Sequence, residues 1–310
     1  MTTEPAEKTA PVAPFRPARD NPRLGILLMI GSTVLFALLW TLVKILSDRY
    51  PIAEVSFFRS VLALIPVGVL ITMHGGARLL RPHRLRAHVW RSVIGVTSMI
   101  LGFLSYHLMP LADAVAISFT SPLMITALSV PLLGEKVGPY RWCAVVVGFG
   151  GVLMIVQPSG SVFNLGALSA IGAAVASAFA MVTIRQLNRT DPPLTIVFYF
   201  TLFSSIFTAL PLPFVWITPA AADWGWMALM GLAGGFGQYL MTRAFGLASA
   251  AVISPLNYVS LLWASLFGWA IWNDIPTPHV FAGSAVVVAS GLFILYREGR
   301  KRSQATDGNE

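Results

Sequence analysis

The chain has 310 residues, of which 56% are hydrophobic and 11% charged, with a formal net charge of +8 and a mean hydropathy of +0.73. That balance excludes an ordinary soluble domain. The positive charge collects at the ends of apolar windows, so it points to a lipid surface and not to nucleic acid.

Crossing a bilayer takes about 20 apolar residues at about 1.5 Å each. The sequence predicts an all-α polytopic membrane protein with spans at 24–45, 52–73, 90–108, 112–133, 142–157, 165–184, 194–217, 224–242, 249–272 and 279–296. Residues 1–23 form a polar cytoplasmic tail without the apolar core of a cleavable signal peptide, and 297–310 a basic cytoplasmic tail; both tails are predicted to be disordered. With both termini cytoplasmic, 18 of the 21 Lys and Arg, Arg91 among them, fall on cytoplasmic flanks. Arg49 falls outside, and Lys44 and Arg59 within spans. The lone Cys143 excludes an intrachain disulfide and reads as a packing residue.

The two halves, 24–157 and 165–296, repeat each other. Residues 25–60 lie on 166–201 at an offset of 141 without a gap, and 95–118 on 231–254 at an offset of 136. Five predicted spans per half make the second copy enter the bilayer from the opposite side, the arrangement by which many carriers open one site to two faces.

Catalytic constellations are missing from the sequence: no P-loop, no His-Glu-x-x-His and no Gly-x-Ser-x-Gly occurs, and the five histidines lack ligand spacing. An enzyme, a metal site and a cofactor are therefore not expected. The 13 acidic residues fall in tails, loops and span ends, which disfavours proton coupling through a central carboxylate.

Polar residues inside spans form matched stripes. Ser118, Ser121, Ile125 and Ser129 run along one face of the fourth span, and Ser254, Asn257, Leu261 and Ser265 along the ninth. Gly95, Ser98 and Gly102 in the third span meet Gly231, Gly234 and Gln238 in the eighth. Small residues serve helix packing. The amides of Gln238 and Asn257 must be satisfied in hydrocarbon, and their repeat mates Gly102 and Ser121 lack them, so they are expected to face a central cavity. Phe36, Trp40, Tyr258 and Trp263 could wall a ring-bearing solute, or simply pack. Lys44 is placed to snorkel to the interface. Arg59, about 9 Å into its span, reads as either an interhelical clamp or an anion contact in an outer vestibule. Pro122 and Pro255 interrupt one span in each half, a pointer to a binding site and to moving helices.

The inverted repeat, Phe57-Phe58-Arg59-Ser60 at the start of the second span, and Pro122 with Gly134-Glu135-Lys136 downstream resemble the EamA family of the drug/metabolite transporter superfamily. The second copy departs, with Trp272-Asn273-Asp274 where Gly-Glu stands in the first. Arg185-Gln186-Leu187, Thr195 to Phe200, Gly235-Phe236-Gly237-Gln238 and Asp274-Ile275-Pro276-Thr277-Pro278 are similar to the riboflavin-importer branch, and also to carriers of S-adenosylmethionine and amino acids. The resemblance implies a central cavity lined by spans one, three, four, six, eight and nine, and alternating access by rocking of the halves. It implies a small organic solute crossing a bacterial cytoplasmic membrane, with a largely uncharged vitamin such as riboflavin the first expectation. Export of amino acids or drugs, carriage of S-adenosylmethionine, and a receptor or scaffold that binds without transport stay open.

Overall fold

The computed structural model describes residues 21–74, 76–121, 123–124, 139–156, 164–187, 190–247 and 254–307. Among them there is no strand. The helices are α1 (Pro22–Ser47), α2 (Ile52–His74), α3 (Leu85–Leu108), α4 (Leu111–Ser118), α5 (Pro139–Val156), α6 (Leu165–Leu187), α7 (Pro193–Ala209), α8 (Asp223–Leu247), α9 (Val259–Trp272) and α10 (Pro278–Asp307). By length and composition, α1, α2, α3 and α6 hold stretches long and apolar enough to cross a membrane, and shorter apolar stretches lie in α5, α7, α10 and residues 256–272.

Local chemistry sets where helices begin and stop. α1 starts where the Asn21 side chain accepts a hydrogen bond from the Leu24 N–H at 3.1 Å, with proline in the first turn. α7 stops at Ala209, ahead of Pro211 and Pro213, so the predicted 194–217 span is a helix followed by the single turn Leu212–Val215 and extended chain. α9 ends on Asn273 in the left-handed region, φ 57°. α10 runs on to Asp307, so the C-terminal tail is not disordered as predicted: its backbone is helical as far as it is described. Its Arg, Lys, Glu, Gln and Ala residues are good helix formers.

Two predicted spans are not single helices. α4 gives way after Ser118 to a turn at Phe119 and Thr120, with helix again at Ser121 and at 123–124. α9 is preceded by a 3-10 turn, Ser254–Tyr258, which contains Pro255. Ser118 and Ser254 are repeat mates, so regular helix breaks at the same place in both halves. Pro122, Ile125, Ser129 and Gly134-Glu135-Lys136 lie outside the described residues.

Packing follows the inverted repeat. α1 packs chiefly against α8 and α3 chiefly against α6, the same pairing with the halves exchanged. The α2–α8 contact is matched by α7–α3, and α1–α9 by α6–α4. Small residues allow the close approaches. A side chain at Gly231 or Gly235 of α8 would collide with Leu62 or Pro66 of α2, and a Cβ at Gly283 of α10 would stand 2.6 Å from the Gly151 carbonyl oxygen of α5. Large apolar side chains such as Leu27, Val146, Phe214 and Leu262 stand exposed on the outside, as a lipid solvent requires. Cys143 is exposed there too; it is not the packing residue its apolar neighbours predict.

Candidate functional site

Helices α1, α3, α4 and α6 line a half-open cavity of about 260 Å³. Trp40 forms one wall, stacked on Phe36 at 6.2 Å and tilted against Tyr106 at 5.8 Å. Ser98, Gly102, Tyr106 and Ser118 complete the first-half side, and Ala173, Ala174 and Ser177 the other. Ser98 Oγ donates to the Ala173 carbonyl at 2.9 Å, and Ser118 Oγ to the Val115 carbonyl at 2.7 Å. Each hydroxyl oxygen can still accept from a bound solute. The cavity is thus aromatic on one side and weakly polar on the other, the usual lining of a small-molecule site.

A second, smaller cavity lies among α2, α3, α7 and α8. Arg59, Arg91, Phe200, Thr201 and Gln238 line it. The Arg91 guanidinium sits 3.7 Å above the centre of the Phe200 ring. Arg91, expected on a cytoplasmic flank, instead turns into the bundle.

The predicted site residues therefore divide. Trp40, Ser98 and Ser118 line the larger cavity, and Gln238 and Arg59 the smaller. Phe36 backs Trp40 from behind, and Ser121 Oγ donates to the Ala174 carbonyl at 3.2 Å. The candidates on the predicted ninth span line neither cavity. Tyr258 packs edge-on to Phe119 at 4.9 Å, with its hydroxyl against Gly291. Asn257 offers its backbone carbonyl to Ser260 at 2.6 Å. The Trp263 indole nitrogen is buried without a partner among the described residues. Tyr106 was legible as the third member of the Ser98, Gly102, Tyr106 row at four-residue spacing.

Lys44 does not snorkel. Its Nζ donates to the Met109 carbonyl at 2.8 Å, lies 3.7 Å from the Asp274 carboxylate, and stands 4.9 Å over the Trp272 ring. One buried cation thus joins α1, the α3–α4 connection and the end of α9 at one end of the bundle.

Further tethers sit at both ends. At the α1–α2 end, Arg49 reaches Asp223 at 3.1 Å, and the Tyr50 hydroxyl donates to Asp223 at 2.8 Å while accepting from the Ala220 N–H at 3.0 Å. At the opposite end, Asp191 accepts from the His83 N–H at 2.8 Å and lies 3.5 Å from the His88 ring. Asp191 is the repeat mate of Tyr50. Each α1–α2-type loop therefore grips the start of the third helix of the other half. Hydrogen bonding from Tyr50, against burial and with help from Arg49, holds the Asp223 carboxyl below its ordinary range. Burial pushes Asp191 up, but its hydrogen bonds from His83 and Thr190 outweigh that and leave it lowered.

An inverted helical bundle with an aromatic cavity between the halves and tethers at its ends is the architecture of a membrane carrier. The chain belongs to the EamA-like transporter family, whose model matches residues 23–157 and 164–296. It is 30% identical to the pseudopaline exporter CntI of Pseudomonas aeruginosa, over 87% of this chain and 95% of the relative. It is 28% identical to a riboflavin transporter of Vibrio cholerae, over 91% and 96%. It is also 27% identical to an S-adenosylmethionine uptake transporter of Rickettsia prowazekii, over 90% and 95%. A solved crystal structure aligns with a TM-score of 0.60 at 18% identity, covering 88% of this chain and 96% of that one, a likeness of fold.

Proposed function

We propose that the protein is a secondary carrier with ten spans and cytoplasmic termini that moves a small ring-bearing metabolite across a bacterial cytoplasmic membrane by alternating access. The observation that carries this reading is the exchange-symmetric packing of the halves around the Trp40 cavity, with tethers across the halves at both ends. A cavity of about 260 Å³ suits a solute of cofactor size when the tethered ends part. Trp40, Tyr106 and Ser118 hold the ring, and breaking the Lys44 bridge opens the α1–α2 end. Riboflavin and S-adenosylmethionine are the first solutes to offer, since relatives of similar identity are named for them.

Labelled riboflavin and S-adenosylmethionine are offered to proteoliposomes containing the full chain, with protein-free liposomes beside them. Saturable uptake of either, reduced at least roughly tenfold by Trp40→Ala through loss of the stacking wall, supports the reading. Binding of a solute without any flux would replace the carrier with a receptor.

A further inference from the structure

We infer that the Arg59–Arg91 cavity is an anion subsite that receives a carboxylate or phosphate group of the transported solute, an inference that rests on the carrier reading above.

The two arginines enter from different helices. Arg59 lies about 10 Å into α2, and Arg91 about 9 Å into α3 from the opposite end, next to the start of the predicted third span at residue 90. Each has buried guanidinium nitrogen without a hydrogen-bond partner among the described residues: Nε of Arg59, and Nε and Nη1 of Arg91. Neither forms an ion pair with a described carboxylate. The described cation contact is the Phe200 face beneath Arg91. Two like charges in low dielectric repel, and a ring face compensates a buried guanidinium only in part. Among the described residues the arrangement lacks a negative charge, and the space the two side chains share is open to one.

That space is small, about 40 Å³, room for a few waters by the ~10–15 Å³ each needs. It accommodates one anionic group and not a whole solute. Arg91 and Ser98 are seven residues apart on α3, two turns on one face and about 10 Å along the axis. The subsite and the Trp40 cavity therefore follow one another along α3, with Gly95 between them. A Cβ at Gly95 would stand 2.7 Å from the Phe200 ring and 2.9 Å from the Arg91 guanidinium. A solute whose ring and acidic group are two helical turns apart, roughly 10 Å, would match the two places along α3 once the Phe200 ring moves off Gly95.

Nor does the repeat demand these charges. Arg59 aligns with Phe200 and, with the offset of 136 carried four residues back, Arg91 with Met227, so the second half fills both packing positions without a cation. The cations are additions to the symmetric scaffold, both brought to one cavity. Arginine is suited to that task because its planar fork meets a carboxylate or phosphate with two hydrogen bonds. This favours a solute bearing a carboxylate over a neutral vitamin.

The test is ligand-dependent thermal stability of the purified full chain in neutral detergent, with succinate, inorganic phosphate and chloride titrated at matched ionic strength. The expected result is a saturable rise of the unfolding midpoint with succinate or phosphate and not with chloride. Arg91→Gln weakens that response roughly ten- to a hundredfold, as loss of a charged hydrogen-bonding group does, and Arg91→Lys weakens it less. If Arg91→Gln does not fold, Arg91→Lys and the wild-type titration decide. No saturable shift in the wild type, or the same shift in the Arg91 variants, overturns the inference. In lipid nanodiscs, an Arg91-dependent rise with phosphatidylglycerol that abolishes the succinate response would assign the site to a lipid headgroup and overturn it as well. The readout needs no flux. Anion binding without transport sinks the carrier reading and leaves an Arg91-dependent anion site with no transported solute, whereas transport of a solute without Arg91-dependent binding sinks the subsite alone.

Discussion

Lys44 shows how a single side chain can tether an end of the bundle. Its ammonium group is satisfied by the Met109 carbonyl, the Asp274 carboxylate and the Trp272 ring, which belong to different helices and to both halves. Lys44→Ala leaves that carbonyl and carboxylate unpaired, and removing a charged hydrogen-bonding partner costs about 1.5–3 kcal/mol. Reversible unfolding in mixed micelles should show a loss of that order; an unchanged midpoint would mean that Lys44 is solvated by the headgroup region. Asp223 gives a pH-dependent counterpart. Its carboxyl is lowered, first by Tyr50, so its contribution to stability is full above the ordinary carboxylate value of about 4 and is lost as pH falls through the lowered value. Tyr50→Phe should therefore be less stable than wild type at neutral pH, with the gap narrowing below about pH 4. Chemical denaturation at stepped pH checks the sign.

Glycine spacing on α8 decides how closely α1, α2 and α8 pack. Gly235→Val forces a side chain into Pro66, and overpacking of that kind costs about 1–3 kcal/mol. Gly150→Ala, on α5 where a Cβ meets nothing within 4 Å, should be neutral or stabilising by up to about 1 kcal/mol through helix propensity. Size-exclusion profiles of the two variants, heated in parallel, separate packing from propensity; equal losses would contradict the account. Helix breaks were legible in part. Pro255 marked the 3-10 turn before α9, while the early stop of α4 at Ser118 carries no proline at the break itself. The site was less legible than the scaffold. A constant offset exposes a repeat without knowledge of which way any side chain faces. Which residues line a cavity depends on helix rotation. That is why Tyr258 and Trp263, plausible walls by composition, pack elsewhere, and why Arg91, counted with the flanking charges, proves to face inward.

For the whole molecule, the exchange-symmetric contacts mean that the two ends are built from equivalent parts held by different chemistry. The α1–α2 end has the Lys44 bridge and the Asp223 cluster, and the other end has Asp191 with His83 and His88. In the proposed carrier, unequal tethers at the two ends would bias which end opens, and a solute that binds one state better would shift that bias. The most direct test measures both ends at once. With Cys143 replaced by serine, spin labels at Leu108 and Ile275 report the α1–α2 end, and labels at Arg86 and Gln186 report the other. Pulsed electron resonance distances are then compared before and after Lys44→Ala. From a structure tethered at both ends, alternating access predicts that the Leu108–Ile275 distance lengthens while the Arg86–Gln186 distance stays short. Lengthening at both ends together, or no change at either, would contradict a rocking carrier.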